Sequence, residues 1–118
     1  NVDESLADEE YKQMIIDSNA SDIVYTAAVS GVNANFLRPS LESMGITEDM
    51  WAQTKKIDFG EELDAAKAEA KAWKTIWSAG QGVTSIDDSV STKTLIDRLK
   101  VQFVEALKRQ QEVLKKYL

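Results

Sequence analysis

The sequence has no cysteine and no histidine, and it has only one proline, Pro39. A chain without cysteine forms no disulfide framework and offers no thiolate for catalysis or metal binding. A chain without histidine carries neither a Ser-His nucleophile pair nor a histidine metal site. Its apolar runs fall far short of the roughly 20 residues that a membrane-spanning helix requires. These absences exclude several classes of catalytic and metal site within this chain.

Positive charge is also in short supply, because 14 basic residues face 20 acidic ones and the net charge is −6. This balance disfavours non-specific binding to nucleic acid or to an anionic membrane. The hydrophobic content of 43% is typical of a soluble globular protein. No signal-peptide pattern is present, so we expect a cytoplasmic protein with neither a nucleic-acid nor a membrane partner.

Apolar residues recur at helical spacing in four segments and alternate in only one short segment. This pattern predicts a mainly α fold with a small β-hairpin. The first helix is expected over residues 8–18, where Tyr11 and Ile15 share one face. The hairpin is expected to pair Ile23–Thr26, which is β-branched and aromatic, with a second strand at residues 32–35.

Start and stop signals predict two short helices and a longer one. Pro39 is pre-set for the first turn of a short helix, and Gly45 is placed to end it. Thr47 is a candidate N-cap for the next helical piece. The longer helix is expected over residues 58–78, where alanine is frequent and apolar residues recur at spacings of three and four.

The last helix is predicted to have the widest apolar surface. It is expected over residues 92–118, with Ser89 or Ser91 as its N-cap. Its apolar side chains span an arc broader than one neighbouring helix covers. They are Leu95, Ile96, Leu99, Val101, Phe103, Val104, Leu107, Leu114 and Tyr117. We therefore expect more than one packing partner, and a homodimer or higher oligomer in solution.

Between the last two predicted helices lies a loop that contains Gly80 and Gly82. Closely spaced glycines let backbone N–H groups converge on an anion, so residues 80–82 are a candidate phosphate or cofactor cradle. The stretch is neither a Walker motif nor a full dinucleotide fingerprint. From spacing alone, a helix end followed by a turn is the simpler explanation of the same glycines.

Several other side chains are candidates for either a site or plain structure. Trp73 and Trp77 could stack on a ligand ring, but tryptophans at helical spacing on an apolar face more often belong to the core. Tyr25 could line a pocket from the hairpin or simply pack against its neighbours. Glu61 and Asp64 lie on a predicted helix interleaved with lysine, which is typical of a solvated face. No pair of acids invites a general acid–base assignment.

Four stretches occur in a specific order and at specific spacings. They are Glu10-Tyr11-Lys12-Gln13, then Asp22-Ile23-Val24-Tyr25-Thr26, then Gly31-Val32-Asn33-Ala34-Asn35-Phe36-Leu37-Arg38, and later Trp77-Ser78-Ala79-Gly80-Gln81-Gly82-Val83. In this combination they resemble the C-terminal third of the nitronate monooxygenase family, formerly called 2-nitropropane dioxygenases. The resemblance covers most of residues 8–86, and the last helix matches only in general character.

The resemblance implies a flavin-dependent (β/α)8 barrel with a mostly helical domain inserted near its end. It implies that Asn1 lies just past the last barrel strand and that residues 1–73 form the inserted cap domain with its hairpin. Residues 74–118 would be the glycine loop and the terminal helix that return to the barrel. Tyr25 of the hairpin is the candidate residue for the substrate pocket of such an enzyme. The resemblance also implies a rim loop near the flavin, formed by Ser78, Gly80, Gln81 and Gly82.

The implied activity is that of the intact parent, an FMN-dependent oxidoreductase that oxidises alkyl nitronates with molecular oxygen. The N-terminal strand, the histidine-containing catalytic segment and the flavin phosphate loops of the family have no counterpart here. The resemblance thus implies a C-terminal fragment that has no catalytic residue and no metal site and is inactive alone. FMN would bind the parent but not the fragment, whose partner would be the missing N-terminal barrel portion of the same protein.

Two alternatives stay open from the sequence. Related barrels with a similar cap are FMN-dependent NADH:quinone or enoyl reductases, and this part of the chain does not distinguish them from nitronate monooxygenases. The second alternative is a free-standing helical interaction module, which the wide apolar stripe of the last helix favours.

Overall fold

The computed structural model describes residues 1–52 and 74–118. These residues are mainly helical and include one two-stranded antiparallel hairpin, which confirms the coarse fold prediction. The α-helices are α1 (Glu9–Asp17), α2 (Arg38–Ser43), α3 (Glu48–Trp51) and α4 (Thr92–Tyr117). The strands are β1 (Ile23–Thr26) and β2 (Ala34–Leu37), and short 3-10 helices span Ala20–Asp22 and Gln81–Ser85.

The predicted helix at residues 58–78 lies mostly outside the described residues, as do Glu61, Asp64 and Trp73. At its C-terminal end, Lys74 and Thr75 are helical, and the chain leaves the helix before Ser78.

The chain forms two compact units. One, which we call the core unit, spans Ala7–Asp87, and the other combines Asn1–Leu6 with Asp88–Leu118 and is called the terminal-helix unit. This division falls at different positions from the expected boundary between residues 73 and 74. Residues 74–87 belong to the same unit as the hairpin.

The hairpin of the core unit pairs Ile23 with Leu37 and Thr26 with Ala34. The first strand has its predicted bounds, but the second begins two residues later than the predicted residues 32–35. The later register places Phe36 and Leu37 in the strand, and both side chains are buried. In this register Phe36 pairs with Val24, and both belong to the buried cluster, so their joint burial favours the observed pairing.

Helix α2 begins and ends where its signals predicted. Pro39 lies in the first turn, and Gly45 follows the helix with φ of 76°. The Gly45 N–H donates to the carbonyl of Glu42 at 2.9 Å, and the Ile46 N–H donates to that of Leu41 at 3.0 Å. This pair of bonds is a Schellman motif, and its left-handed position favours glycine because a Cβ would be strained there.

Thr47 is the residue before α3, as predicted, but its side chain caps nothing. No hydrogen bond joins the Thr47 hydroxyl to the first turn of α3. Thr47 is therefore the N-cap residue by position, without a capping hydrogen bond from its side chain. The helix is instead fixed at its other end, where the Thr26 hydroxyl donates to the carbonyl of Trp51 at 2.6 Å.

The core of this unit is formed by short helices, strands and turns that are distant in sequence and contact one another in the fold. Its buried cluster comprises Val24, Val29, Phe36, Leu41, Ile46 and Ile76. Ala34, Met50 and Trp51 pack against this cluster and are partly buried. Since no helix of the described core unit exceeds nine residues, these tertiary contacts, rather than helix propensity, hold the elements in place.

The terminal-helix unit begins α4 with a defined cap. The Ser91 hydroxyl accepts from the Thr94 N–H at 3.1 Å, so Ser91 is the N-cap and Ser89 is not. The Glu4 carboxylate accepts from the Thr92 N–H at 2.9 Å, which places a negative charge at the positive end of the helix dipole. Val2 forms a parallel bridge with Val90.

Beyond this start, α4 is a long, exposed amphipathic helix. No residue of α4 is buried. Its apolar stripe includes Leu99, Phe103 and Leu107, whose side chains are between 45% and 65% exposed. The predicted apolar stripe is therefore present on the helix.

Candidate functional site

The glycine loop begins at Trp77, and three hydrogen bonds fix that point. The Leu37 N–H at the end of β2 donates to the carbonyl of Trp77 at 2.9 Å. The buried Ser40 hydroxyl accepts from the Trp77 N–H at 2.8 Å and donates to the carbonyl of Thr75 at 3.1 Å. One buried side chain of α2 thus holds both sides of the turn that starts the loop.

Helix α1 holds the other side of the loop through Tyr11. The rings of Tyr11 and Trp77 are stacked, with centroids 5.1 Å apart and planes inclined by 20°. The Tyr11 hydroxyl also donates a hydrogen bond to the carbonyl of Ser78. Trp77 therefore stacks on a ring of its own chain and is half-buried, which agrees best with the structural interpretation of this tryptophan.

After Gly80 the chain forms the 3-10 helix Gln81–Ser85. Val83 is its buried residue. The Thr84 hydroxyl accepts from the Ala20 N–H at 2.7 Å, which ties this helix to the turn before β1. The loop is consequently supported on both flanks by residues far away in sequence.

The two loop glycines are not required by backbone conformation. Neither Gly80 nor Gly82 has a positive φ, and Gly80 is the N-cap of a 3-10 helix rather than the end of an α-helix. A Cβ built on either residue would meet no heavy atom within 4 Å. The predicted helix-end role is therefore wrong for these glycines, and their lack of a side chain keeps space open beside the loop.

That space is a cavity of about 360 Å³, which we call the glycine-loop pocket. Helix α1 forms one wall, and the loop with the following 3-10 helix forms the other. The lining residues are Tyr11, Ile15, Ser78, Ala79, Gly80, Gly82, Val83 and Ile86.

Three of the expected loop residues, Ser78, Gly80 and Gly82, line this pocket, whereas Gln81 does not. Tyr25 lies on β1, where its side chain is 69% exposed, and it does not line the pocket either. Sequence reasoning missed Tyr11 and Ile15 as pocket residues. Their spacing of one helical turn marked a shared face of α1 but did not show what that face contacts.

The pocket has little chemistry of its own. Tyr11 is its one titratable side chain, and no basic or acidic side chain lines it. Elsewhere in the described residues, the Arg98 guanidinium hydrogen-bonds to Asp88 and lowers the pKa of that carboxyl. The glycine-loop pocket can hold an apolar or planar group, but its lining residues offer neither a general acid–base pair nor a nucleophile with its activating base.

Residues 1–52 and 74–118 contain neither a candidate metal site nor a candidate membrane-spanning helix. No group of three or more acidic side chains there is placed to hold a metal ion. None of the helices there combines the length and the apolar character needed to cross a bilayer.

Comparison with other proteins adds no assignment to this geometry: no protein-family model, curated protein or solved structure matches the chain.

Proposed function

We propose that this chain is the C-terminal portion of an FMN-dependent nitronate monooxygenase and is inactive without the rest of the enzyme. The intact parent would oxidise alkyl nitronates with molecular oxygen. In this proposal the core unit contributes the cap and the rim loop, and α4 returns the chain to the barrel.

The observation that carries the proposal is that three of the four family-like stretches meet at one residue, Trp77, and that the remaining stretch pairs with one of them in the hairpin. The first stretch supplies Tyr11, whose ring stacks on Trp77. The second and third stretches pair as β1 and β2, and Leu37 at the end of β2 donates its N–H to the Trp77 carbonyl. The fourth stretch begins at Trp77 itself. Stretches that are far apart in sequence and share one contact centre are expected if they belong to one functional element.

The glycine-loop pocket fits FMN only as part of a larger site. FMN carries a phosphate, and proteins hold phosphates with basic side chains or with several converging N–H groups. No basic side chain lines this pocket, so the proposal requires phosphate contacts from outside it. The proposal therefore leaves the phosphate and most ring contacts to the barrel and assigns only the rim to residues 78–82.

When bound to the parent, FMN would supply the redox chemistry, and the protein would orient it and exclude water. Among the residues of this chain, Tyr11 and Trp77 would keep the rim loop rigid. Gly80 and Gly82 would let a flat ring approach the backbone, since no side chain projects there. Tyr25, which is exposed on β1, would face the substrate from the cap.

The first test uses the 118-residue chain alone. After incubation with excess FMN and gel filtration, the protein is expected to be colourless, because at most one of the required flavin contacts is present. A stoichiometric yellow complex would contradict the fragment interpretation, since it would place a complete flavin site within this chain.

The second test uses the parent protein, obtained from the coding sequence upstream of Asn1. Gly82→Val is expected to fold, because a Cβ at Gly82 meets no heavy atom within 4 Å, but to reduce flavin content and nitronate-dependent oxygen consumption. Ala52→Val, which adds the same kind of bulk at an exposed position outside the pocket, is the matched control. Equal flavin content and activity in both variants would contradict a rim role for the loop.

A second candidate function is a free-standing interaction module, and the observation that favours it is the exposed apolar stripe of α4. The upstream reading frame separates the two proposals. The resemblance to nitronate monooxygenases implies a phosphate-binding Gly-Thr-Arg-Phe turn just before Asn1. A long upstream segment that ends in such a turn supports the enzyme, and a start codon directly before Asn1 supports the module. Assay of the parent with a nicotinamide donor then distinguishes the related quinone and enoyl reductases from a nitronate monooxygenase.

A further inference from the structure

A second cavity of the core unit opens between α1 and the start of α2. Its volume is about 340 Å³, and we call it the α1–α2 pocket. The lining residues are Glu10, Gln13, Met14, Asp17, Ser18 and Pro39. The proposed function uses none of them.

Ser18 is the first sign that this cavity receives a ligand. It is the C-cap of α1 and is only 6% exposed. Its Oγ is buried and makes no hydrogen bond to any described part of the chain. Buried hydroxyls in native proteins are normally paired, so such an atom needs an explanation. Because Ser18 lines the cavity, rotation about its Cα–Cβ bond presents the hydroxyl to a group bound there.

Two carboxylates at opposite ends of the cavity are the second sign. Glu10 and Asp17 are seven residues apart on α1, which is two helical turns, or about 10.5 Å along the axis. Met14 lies between them on the same side of the helix, and Pro39 of α2 adds a second apolar surface. The cavity therefore has an acidic group at each end and an apolar middle.

Gln13, the remaining polar side chain of the cavity, also presents a hydrogen-bond acceptor. The Gln13 Nε2 donates to Asp17 Oδ1 at 3.0 Å, which turns its amide NH₂ towards Asp17 and leaves its carbonyl oxygen as an acceptor. No basic side chain lines the cavity. Carboxylate, carbonyl and hydroxyl oxygens together suit a ligand that carries N–H donors and positive charge.

We propose that the α1–α2 pocket binds a short linear aliphatic diamine. One ammonium group contacts Glu10 and the other contacts Asp17 and the Ser18 hydroxyl. The methylene chain lies on Met14, whose flexible thioether side chain adapts to its shape, and on Pro39. The pairing of two separated carboxylates with an apolar middle selects a diamine over a monoamine or an anion.

Isothermal titration calorimetry of the 118-residue chain tests diamine binding with three ligands that share a five-carbon chain: 1,5-diaminopentane, 1-aminopentane and 1,5-pentanediol. The diamine is expected to bind about tenfold more tightly than the monoamine, since it makes a second charge-assisted contact. The diol is expected to show no binding. A diol that binds as well as the diamine, or a diamine without measurable binding at millimolar concentration, would overturn the proposal.

Variants locate the site. Glu10→Gln and Asp17→Asn are each expected to weaken diamine binding to the level of the monoamine. Glu105→Gln, which removes the same charge from the exposed face of α4, is the matched control and should bind like the wild type. An equal loss in all three variants would mean general attraction to an acidic protein and would contradict a defined pocket.

Ser18→Ala tests the buried hydroxyl separately from charge. Without ligand this variant is expected to melt at the same temperature as the wild type or higher, because it removes an unpaired buried polar atom. Its affinity for the diamine is expected to fall several-fold, and the thermal shift that the diamine produces should shrink accordingly. Unchanged affinity in a folded Ser18→Ala variant would remove Ser18 from the site and overturn the proposed contact.

Discussion

Phe36 and Phe103 show how differently the two units use the same side chain. Phe36 lies on a four-residue strand and is 3% exposed, whereas Phe103 lies on a 26-residue helix and is 65% exposed. The helices and strands of the core unit that the structure describes are too short to be stable alone, so burial of apolar groups between them stabilises them. Helix α4 is long enough to satisfy most of its own backbone hydrogen bonds, and the large apolar side chains of its stripe are exposed.

This difference in burial predicts that replacing phenylalanine by alanine has effects of very different size at positions 36 and 103. Phe36→Ala is expected to lower the free energy of unfolding of the core unit by about 3–5 kcal/mol, because it leaves a cavity in a buried cluster. Phe103→Ala should change it by at most about 0.5 kcal/mol. Urea denaturation followed by tryptophan fluorescence measures this, since all three tryptophans lie in the core unit. Equal losses would show that α4 is as tightly packed as the hairpin.

The exposed stripe also predicts self-association of this chain. We expect a homodimer or higher oligomer at micromolar concentration, and Leu107→Ala should weaken it by about 1.5–3 kcal/mol for each side chain removed from the interface. Glu105→Ala truncates a neighbour on the opposite, polar face and serves as control. Analytical ultracentrifugation gives the result, and a folded monomer for the wild type would refute the association.

Two serines of α2, Ser40 and Ser43, test the effect of burial within the core unit. Ser40→Ala removes the buried hydroxyl that accepts a hydrogen bond from the Trp77 N–H. It is expected to lower the free energy of unfolding by about 1–3 kcal/mol. Ser43→Ala is the matched control. Its hydroxyl donates to the Ser40 carbonyl at 2.8 Å, but the residue is exposed, so water can replace the bond. A loss as large for Ser43→Ala would mean that burial does not distinguish the two hydroxyls.

The smallest expected effect belongs to the terminal-helix unit. Arg98 donates two hydrogen bonds to the Asp88 carboxylate, at 3.0 and 2.9 Å, and these bonds lower the pKa of Asp88. Because the folded pKa is the lower one, the pair stabilises the fold above the unfolded pKa of about 3.9. That stabilisation is lost as the pH falls through the folded pKa. The effect is small because both side chains are largely solvated.

A carboxyl-carbon NMR titration of Asp88 measures that shift directly. Arg98→Met is expected to raise the pKa of Asp88 towards its ordinary value, since the donor of both bonds is gone. The same midpoint in the variant and the wild type would show that Arg98 does not cause the shift.

What the sequence determined by itself is local. Pro39 and Gly45 marked the ends of α2, Ser91 was one of two candidate caps for α4, and β-branched residues marked β1. Each of these signals acts through backbone angles or hydrogen bonds within a few residues, so no tertiary information is needed. The terminal helix was therefore predictable nearly to its last residue.

Only the tertiary structure decided which distant groups meet. The second strand began later than predicted, and joint burial of Phe36 and Val24 favours the observed pairing. The stacking of Tyr11 on Trp77 and the open space beside Gly82 depend on how α1 lies against the loop. Such contacts join residues more than sixty positions apart, and their free energy depends on the whole packing arrangement rather than on any short stretch of sequence.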